Sequence, residues 1–252
     1  ATTYPCIIRV TNQKPDREFY ALRVKSLDFS ILEDYVKSNK HRINQDSLSE
    51  DGWTLGEERI ENLLKKILKN GVSLDFYTDG MVFRGIITGL NDAFVINNTI
   101  KEQIIAEDPK SELLIKPFIT GKNVKRYEPI KSDNYLILIP RGWTNTHCID
   151  VKNKWKWFKD TYPAISTHLE SFTELAEKRY DKGDYWWELR ACDYYSEFEK
   201  TKIVYPNICK KPEFTFDDKK YYTNQKCYII PKDDKYLLGI LNSSLASFLF
   251  GM

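Results

Sequence analysis

Two short segments carry residue types that bind anions. Residues 84–92 contain Arg84, Thr88 and Asn91 together with two glycines. Residues 116–131 set five cations against a single acid: Lys116, Lys122, Lys125, Arg126 and Lys131. Lysine and arginine neutralise phosphates, and glycine lets backbone NH groups approach a phosphate closely. Arginine and asparagine can also make paired hydrogen bonds with base edges. Both segments therefore have the chemistry of a nucleic-acid contact.

Later segments add cations in predicted loops. Arg141 follows an apolar run, and a helix that ends at Arg179 is followed by a loop that reaches Arg190. Predicted loops also hold Lys182, Tyr185, Lys210 and Lys211. A further basic segment, residues 152–159, alternates lysines with tryptophan and phenylalanine. We interpret its aromatic side chains as core and its lysines as the solvated face.

Each of the first two segments also has a purely structural interpretation. Gly85 and Gly89 could be turn or bulge glycines, and Asn91-Asp92 could be a turn. The lysines of residues 116–131 could be the solvated end of a helix. The residues alone leave both interpretations open.

No segment has the pattern of a catalytic or metal-binding site. The sequence lacks a Walker loop and a G-x-S-x-G nucleophile motif. His41, His147 and His168 are isolated from one another and from the cysteines, so no zinc ligand set is predicted. A metal-dependent nuclease needs clustered carboxylates with a lysine, and no such cluster stands out among the 36 acids. We predict no catalytic residue and no metal ligand in this chain.

Charge and composition exclude further classes of protein. The 38 lysine and arginine residues are nearly balanced by 36 acids, which gives a net charge of +2 and excludes a histone-like binder. The sequence has no apolar stretch of about eighteen residues, so no membrane span is predicted. Five cysteines without a C-x-x-C pair indicate reduced thiols and a cytoplasmic protein. The chain begins at Ala1 and stops after an apolar run, and we expect it to be part of a longer polypeptide.

Hydrophobic periodicity predicts an α+β fold with a mixed sheet and flanking helices. Strands are predicted at residues 6–10, 17–25, 135–139, 203–205, 214–216 and 228–230. Helices are predicted at residues 28–37, 55–69, 98–107, 111–118, 150–160, 164–178 and 235–250. The helix at 55–69 has the clearest signal, because Thr54 and Glu57 form a capping-box pair and Asn70-Gly71 ends the apolar stripe.

Four ordered motifs resemble the TaqI-like C-terminal specificity domain, which occurs in type IIG restriction–modification enzymes and adenine-N6 DNA methyltransferases. They are the basic motif at residues 116–127, the Trp-to-Arg motif that ends at Arg190, the strand at 202–206 and the closing helix motif at 238–244. Residues 84–94 resemble the opening of the same domain. The resemblance extends over roughly residues 80–250.

The resemblance implies a target-recognition (specificity) domain at residues 80–252, a helical connector at 28–79 and the last strands of a methyltransferase core at 1–27. Its partners would be double-stranded DNA, read in the major groove, and the methyltransferase and nuclease domains of the same polypeptide. No membrane partner is expected. The chain itself would be non-catalytic and would hold no cofactor. S-adenosylmethionine, with Mg as a further candidate, would serve the rest of the enzyme, which flips an adenine out of the duplex.

Within this resemblance we predict DNA contacts for the following residues: Arg84, Thr88, Asn91, Lys122, Lys125, Arg126, Arg141, Arg179, Lys182, Tyr185, Arg190, Lys210 and Lys211. An alternative function is a docking module that holds another subunit of a restriction–modification complex. The tail helix at residues 235–250 and the Trp-rich segment at 155–158 motivate this alternative.

Overall fold

The computed structural model describes residues 6–12, 14, 16–48, 50, 53, 55 and 58–251. The chain divides into two compact units, residues 1–73 and residues 74–252. The borders predicted at residues 28 and 80 concern function and stay predictions. None of the helices in the described ranges is both long and apolar enough to cross a membrane.

The first unit contains a two-stranded antiparallel sheet and two α-helices within its described residues. Strand β1 (Glu18–Ala21) pairs with β2 (His41–Asn44), and Phe19 lies opposite Ile43. Ile43 is only 3% exposed and is the buried residue of this small sheet. The helices are α1 (Leu32–Asn39) and α2 (Glu58–Asn70).

Two predictions for this unit have different outcomes. α2 confirms the helix predicted at residues 55–69, although the Thr54–Glu57 capping pair lies outside the described residues. The strand predicted at residues 6–10 is wrong, because this segment pairs with none of the described strands and Ile7 is 98% exposed. Strand propensity reflects packing on a half-buried sheet surface, and an unpaired segment gains none of that packing.

The second unit contains two four-stranded sheets within its described residues. In pairing order, the first comprises β3 (Phe83–Arg84), β10 (Cys227–Ile230), β7 (Lys202–Pro206) and β8 (Thr215–Asp217). The second comprises β4 (Val95–Asn97), β6 (Asn134–Ile137), β5 (Ile115–Ile119) and β9 (Tyr222–Thr223). The pairs are antiparallel except β5 with β9, which is parallel. This arrangement confirms the predicted α+β class with a mixed sheet.

Helices surround these sheets and supply much of the core. They are α3 (Leu74–Tyr77), α4 (Asn91–Phe94), α5 (Asn98–Glu107), α6 (Trp143–His147), α7 (Lys154–Thr161), α8 (Pro163–Glu170), α9 (Thr173–Lys178), α10 (Lys235–Leu241) and α11 (Ser244–Phe250). The largest buried cluster joins strand residues such as Phe118 and Leu136 to Phe94, Phe158 and Ile165 from the helices.

Side-chain caps explain where several helices begin. Four capping residues each accept a hydrogen bond of 2.8–3.1 Å from the backbone NH three positions later: Asn97, Asn153, Asp234 and Ser243. The helix predicted at residues 235–250 is consequently two helices, α10 and α11. Asn242 separates them, because its buried amide bonds to both the NH and the carbonyl of Phe214, at 3.1 and 2.8 Å. The helix predicted at residues 164–178 is likewise divided into α8 and α9.

The helix predicted at residues 111–118 is wrong. A 3-10 helix, Pro109–Leu114, ends where strand β5 begins. Pro117 excludes a helix interior, and the β-branched and aromatic residues around it fit a buried strand. β9 pairs only from Phe118 onward, so the second side of β5 is still unpaired at Pro117, which has no NH to donate.

A buried ion pair joins the neighbouring strands β7 and β8. Lys202 Nζ lies 2.6 Å from Asp217 Oδ2, and both side chains are 0% exposed. Lys202 also donates to the carbonyl of Phe198 at 2.6 Å, and Asp217 accepts from the NH groups of Lys219 and Tyr221 at 2.9 Å. Burial lowers the pKa of Lys202, and the charge of Asp217 opposes this effect. The pair is acceptable in the interior because additional hydrogen bonds satisfy both charges.

Gly85 lies where two backbones almost touch. Its NH donates to the carbonyl of Cys227 at 2.9 Å. A Cβ on residue 85 would lie 1.9 Å from the carbonyl oxygen of Asn224 and 2.5 Å from Thr223 Oγ1. The nearest obstacle is backbone, so no side-chain movement could relieve the overlap. Only glycine fits at this position.

We expect Gly85→Ala to lower the free energy of unfolding by about 1–3 kcal/mol or more, because the added methyl group overpacks the contact. The matched control is Gly239→Ala in α10, where an added Cβ has no atom within 4 Å. Alanine should stabilise this helix by about 0.5–1 kcal/mol. Urea unfolding of both variants measures the difference. Equal midpoints would contradict the close approach at Gly85.

Candidate nucleic-acid interface

Three connections of the second unit meet beside strand β3. They are the 3-10 helix Gly121–Asn123, residues 207–214 between β7 and β8, and residues 224–226 before β10. The NH of Asn207 donates to the carbonyl of Lys226 at 2.7 Å, and a Cβ on Gly121 would lie 3.4 Å from the same carbonyl. The connections therefore form one continuous surface.

This surface carries most of the exposed cations that the sequence singled out. Arg84 joins it from β3, because its Nε donates to the carbonyl of Gln225 at 3.0 Å. The side chains that define this basic cluster are Arg84, Lys122, Lys125, Lys210, Lys211 and Lys226, and all of them are exposed. Like charges that are gathered on one face raise the local potential well above what a net charge of +2 suggests.

Local hydrogen bonds fix Lys122 on the outside of a tight turn. Thr120 donates to Asn123 Oδ1 from its NH at 2.9 Å and from its hydroxyl at 3.0 Å. Asn123 Nδ2 donates in turn to the carbonyl of Lys131 at 2.9 Å. These bonds satisfy the polar groups of the 3-10 helix internally. The ammonium group of Lys122 is left to face solvent.

Carboxylates neutralise little of the basic cluster. Lys125 Nζ lies 3.3 Å from Glu213 Oε1, in a pair that is partly exposed. Among the described residues, neither Lys122 nor Lys226 forms an ion pair. The pair of Lys125 contributes little to stability at such exposure. The cluster can therefore bind an incoming anion without first losing a strong internal contact.

Arg126, next to the cluster, is turned partly inward. Its guanidinium donates to Tyr127 Oη at 2.8 Å and lies 4.5 Å from the centre of that ring. Tyr127 in turn donates to the carbonyl of Asn242 at 3.4 Å. Arg126 therefore helps to hold the segment against the end of α10, and Lys125 is the more accessible of the two neighbours.

Two of the predicted DNA contacts, Arg179 and Thr88, have buried side chains. Arg179 is 8% exposed and donates to the carbonyls of Thr88, Trp186 and Glu188, the last two at 2.7 and 2.6 Å. Burial lowers the pKa of Arg179 to about 10. Thr88 is 3% exposed, and its hydroxyl donates to Asn91 Oδ1 at 2.6 Å. Both side chains bond to internal groups, and their predicted contacts with DNA stay predictions.

A second group of predicted residues lies around the loop of residues 180–190, where the arginines are paired. Arg141 Nε lies 2.7 Å from Asp184 Oδ1, and Arg190 lies 3.1 Å from Asp181 Oδ1. Both pairs are partly exposed. Their carboxylates compete with any phosphate that approaches, so this group binds anions less readily than the basic cluster.

Two other predicted residues of this loop also have internal partners. Lys182 Nζ donates to the carbonyl of Glu177. Tyr185 donates its hydroxyl to Asn145 Oδ1 at 2.7 Å, and its ring stacks on Trp187 at 4.6 Å between centroids. Tyr185 is thus half-buried, whereas Lys182 remains exposed.

The buried carboxylate of Glu188 holds this loop against the start of α6. It is 0% exposed and accepts hydrogen bonds from three backbone NH groups, those of Gly142, Thr144 and Asp184, at 2.9–3.1 Å. Two of these donors lie about forty residues away in sequence, and the third is in the loop itself. Glu188 therefore fixes the chain directly after Arg141 against the loop that carries Asp184.

The glycine-rich segment of residues 84–91 connects the two groups. At one end, the NH of Ile86 donates to the carbonyl of Thr223 at 2.7 Å, beside the basic cluster. At the other end, Gly89 has φ +68° and lies so close to the 180–190 loop that an added Cβ would be 3.0 Å from Asp181 Cβ. Asn91 is exposed at the start of α4.

The basic and aromatic segment of residues 152–159 packs as a helix against the core. Trp155, Trp157 and Phe158 pack in or against the main core cluster, and the lysines at 156 and 159 are exposed. This confirms the interpretation of residues 152–159 as a core helix with a solvated face. Within the described residues, no three histidine, cysteine or acidic side chains converge in a way that could hold a metal ion.

One exposed cation of the cluster was missed from the sequence. Lys226 lies in the turn between β9 and β10, and only the tertiary fold brings it beside Gly121 and Asn207. A lysine in a short connection before an apolar strand was the available signal. It did not distinguish Lys226 from the other lysines of the chain.

Comparison with known proteins identifies the family. Residues 116–252, more than half of the chain, match the family model of the TaqI-like C-terminal specificity domain. The chain is also similar to a solved structure of the Type IIL restriction-modification enzyme MmeI in complex with DNA, with 12% identity and a TM-score of 0.47 over 66% of this chain. The match spans only 21% of the MmeI chain. The chain described here belongs to the family of TaqI-like C-terminal specificity domains.

Proposed function

We propose that this chain recognises a DNA sequence as the specificity domain of a restriction–modification enzyme, and that its basic cluster binds the phosphate backbone. Family membership supports the recognition role. The observation that carries the assignment of the surface is the convergence of Arg84, Lys122 and Lys226 from distant parts of the chain. Phosphate contacts of this kind set the register of a protein on the duplex, while base contacts supply specificity.

The basic cluster has two properties that suit it to phosphate binding. Its lysines are exposed, so each ammonium group can stay partly hydrated while it contacts a phosphate. They also come from short connections that the sheet holds in place, so little backbone conformational entropy is lost on binding. The 180–190 loop, with its partnered arginines, is the second candidate contact region.

The rest of the enzyme is also a proposal. We propose that the parent polypeptide is an adenine-specific DNA methyltransferase that is joined to an endonuclease. S-adenosylmethionine and Mg would be held outside this chain. Residues 1–27 would then continue the methyltransferase core, and residues 28–79 would connect it to the recognition domain. We also propose a cytoplasmic location.

A second candidate function is docking to another domain or subunit, and the last two helices favour it. Tyr236 and Ile240 are 79% and 45% exposed on α10, and Phe250 is 62% exposed on α11. Sedimentation of the chain with candidate partner domains tests this function. A chain that stays monomeric in every mixture and still binds DNA would argue against docking.

The salt dependence of DNA binding tests the basic cluster. The double variant Lys122→Ala/Lys226→Ala should bind all duplexes more weakly. Its plot of log K against log salt should be shallower by about 2, because each lost phosphate contact removes roughly 0.9 from the slope. Fluorescence anisotropy with a random-sequence duplex over a range of salt concentrations measures both effects.

A matched control uses exposed lysines elsewhere on the same unit. Lys152→Ala/Lys156→Ala removes the same charge from residues outside the basic cluster. The control should keep the wild-type slope. If the control flattens the slope and the cluster variant does not, the phosphate contacts lie on the helix face of residues 152–159 and the basic cluster is not the interface.

Protection of a cysteine provides an independent test without mutation. Cys209 is exposed in the basic cluster, and Cys6 is exposed in the first unit. Duplex DNA at low salt should slow the alkylation of Cys209 by iodoacetamide and leave Cys6 unchanged. Burial, followed by the charge of Glu213, raises the pKa of Cys209, so the reaction is run at alkaline pH to populate the thiolate. Peptide mass mapping gives both rates, and equal protection of the two thiols would contradict the assignment.

A further inference from the structure

The tip of the basic cluster is a short loop, residues 207–211, that is anchored at both ends. Pro206 and Pro212, which flank it, are buried. The NH of Asn207 donates to the carbonyl of Lys226 at 2.7 Å on one side. On the other side, the NH of Phe214 donates to Asn242 Oδ1 at 3.1 Å. The loop therefore projects from the surface with its base held firmly.

An apolar side chain stands at this tip. Ile208 is 90% exposed. A single exposed aliphatic residue is common and by itself indicates nothing. What sets Ile208 apart is its surroundings, because Lys210 and Lys211 share the loop and Lys122 and Lys226 border it. A partner for this tip must offer negative charge and, a few ångströms away, an apolar group.

Duplex DNA has that combination in its major groove. The phosphates form the walls of the groove, and the C5 methyl group of thymine projects into it. Two residues of extended chain span at most about 7 Å, whereas the groove is about 12 Å wide. If Lys210 holds a phosphate on the wall, Ile208 stays within the width of the groove and within reach of the base edges.

We propose that Ile208 is a specificity-determining residue that packs against the methyl group of a thymine in the recognised site. This inference rests on the proposed function, because it requires that the basic cluster holds DNA. Lys210 and Lys211 bind the adjacent phosphates and keep Ile208 in register. The contact selects thymine over cytosine, which has no methyl group at C5.

The experiment starts by selecting bound duplexes from a random pool with the wild-type chain. Each thymine of the selected site is then replaced in turn by uracil, which lacks only the methyl group. Wild type should lose about fourfold in affinity at one thymine, the amount expected for one buried methyl group. Ile208→Ala should bind the thymine and uracil duplexes equally at that position.

The matched control is Ile149→Ala, another exposed isoleucine of the same unit, 78% exposed. This variant should keep the wild-type preference for thymine. Because both isoleucines are exposed, neither change should alter the unfolding midpoint, and this is checked for each variant. A folded Ile208→Ala chain that still discriminates against uracil as wild type does would overturn the inference.

The remaining outcomes separate the inference from the proposed function. If the pool yields a motif, but the motif contains no thymine or no uracil substitution matters, sequence recognition stands and the role of Ile208 is wrong. A second result would also contradict the role of Ile208. If the fluorescence of 2-aminopurine in the selected site rises with wild type and not with Ile208→Ala, the side chain unstacks the bases and does not pack against a methyl group in the groove. If no motif is enriched, the proposed function itself fails.

Discussion

The guanidinium group of Arg179 joins two distant segments of the chain, because it donates to the carbonyl of Thr88 and to those of Trp186 and Glu188. Buried carbonyls need partners, and one side chain here satisfies three of them. The contact holds the glycine-rich segment of residues 84–91 against the 180–190 loop. Loss of this one cation would leave both segments with unsatisfied polar groups at the same time. The contact between these two segments thus depends on an arginine that is itself buried.

Much of the architecture could be predicted from sequence patterns, but not all of it. Periodicity and capping residues predicted α2, α5 and the apolar strands β6, β7 and β10, because these signals act within a few residues of the chain. At β5, Pro117 was a local signal against a helix that the prediction overlooked. The pairing of β5 with β9, about a hundred residues away, leaves no such signal near β5. The breaks at Asn242 and at residues 171–172 were missed for a similar reason, since Asn242 ends its helix by bonding to Phe214.

The candidate site, too, could be predicted only in part from the sequence. The sequence could indicate which segments are basic, and Lys122, Lys125, Lys210 and Lys211 do lie on one surface. It could not distinguish a cation that faces solvent from one that bonds to the interior, and for that reason Arg179 appeared beside Lys182 as an equal candidate. Nor could it show that Arg141 and Arg190 have carboxylate partners while Lys122 has none among the described residues. The sequence shows which residues are charged, whereas the fold decides which of those charges are exposed and unpaired.

The ion pair of Lys202 and Asp217 restricts how this protein can change over time. Removing one partner of a buried pair costs about 3–5 kcal/mol, whereas exchanging both for apolar residues of similar volume is often neutral or stabilising. A typical domain has only about 5–15 kcal/mol of total stability. A lineage can therefore leave this pair only by two nearly simultaneous substitutions, or through an intermediate that is close to unfolding. The pairing of β7 and β8 is therefore hard to change in evolution, because either single substitution gives a protein of low stability. The exposed lysines beside it can be exchanged one at a time.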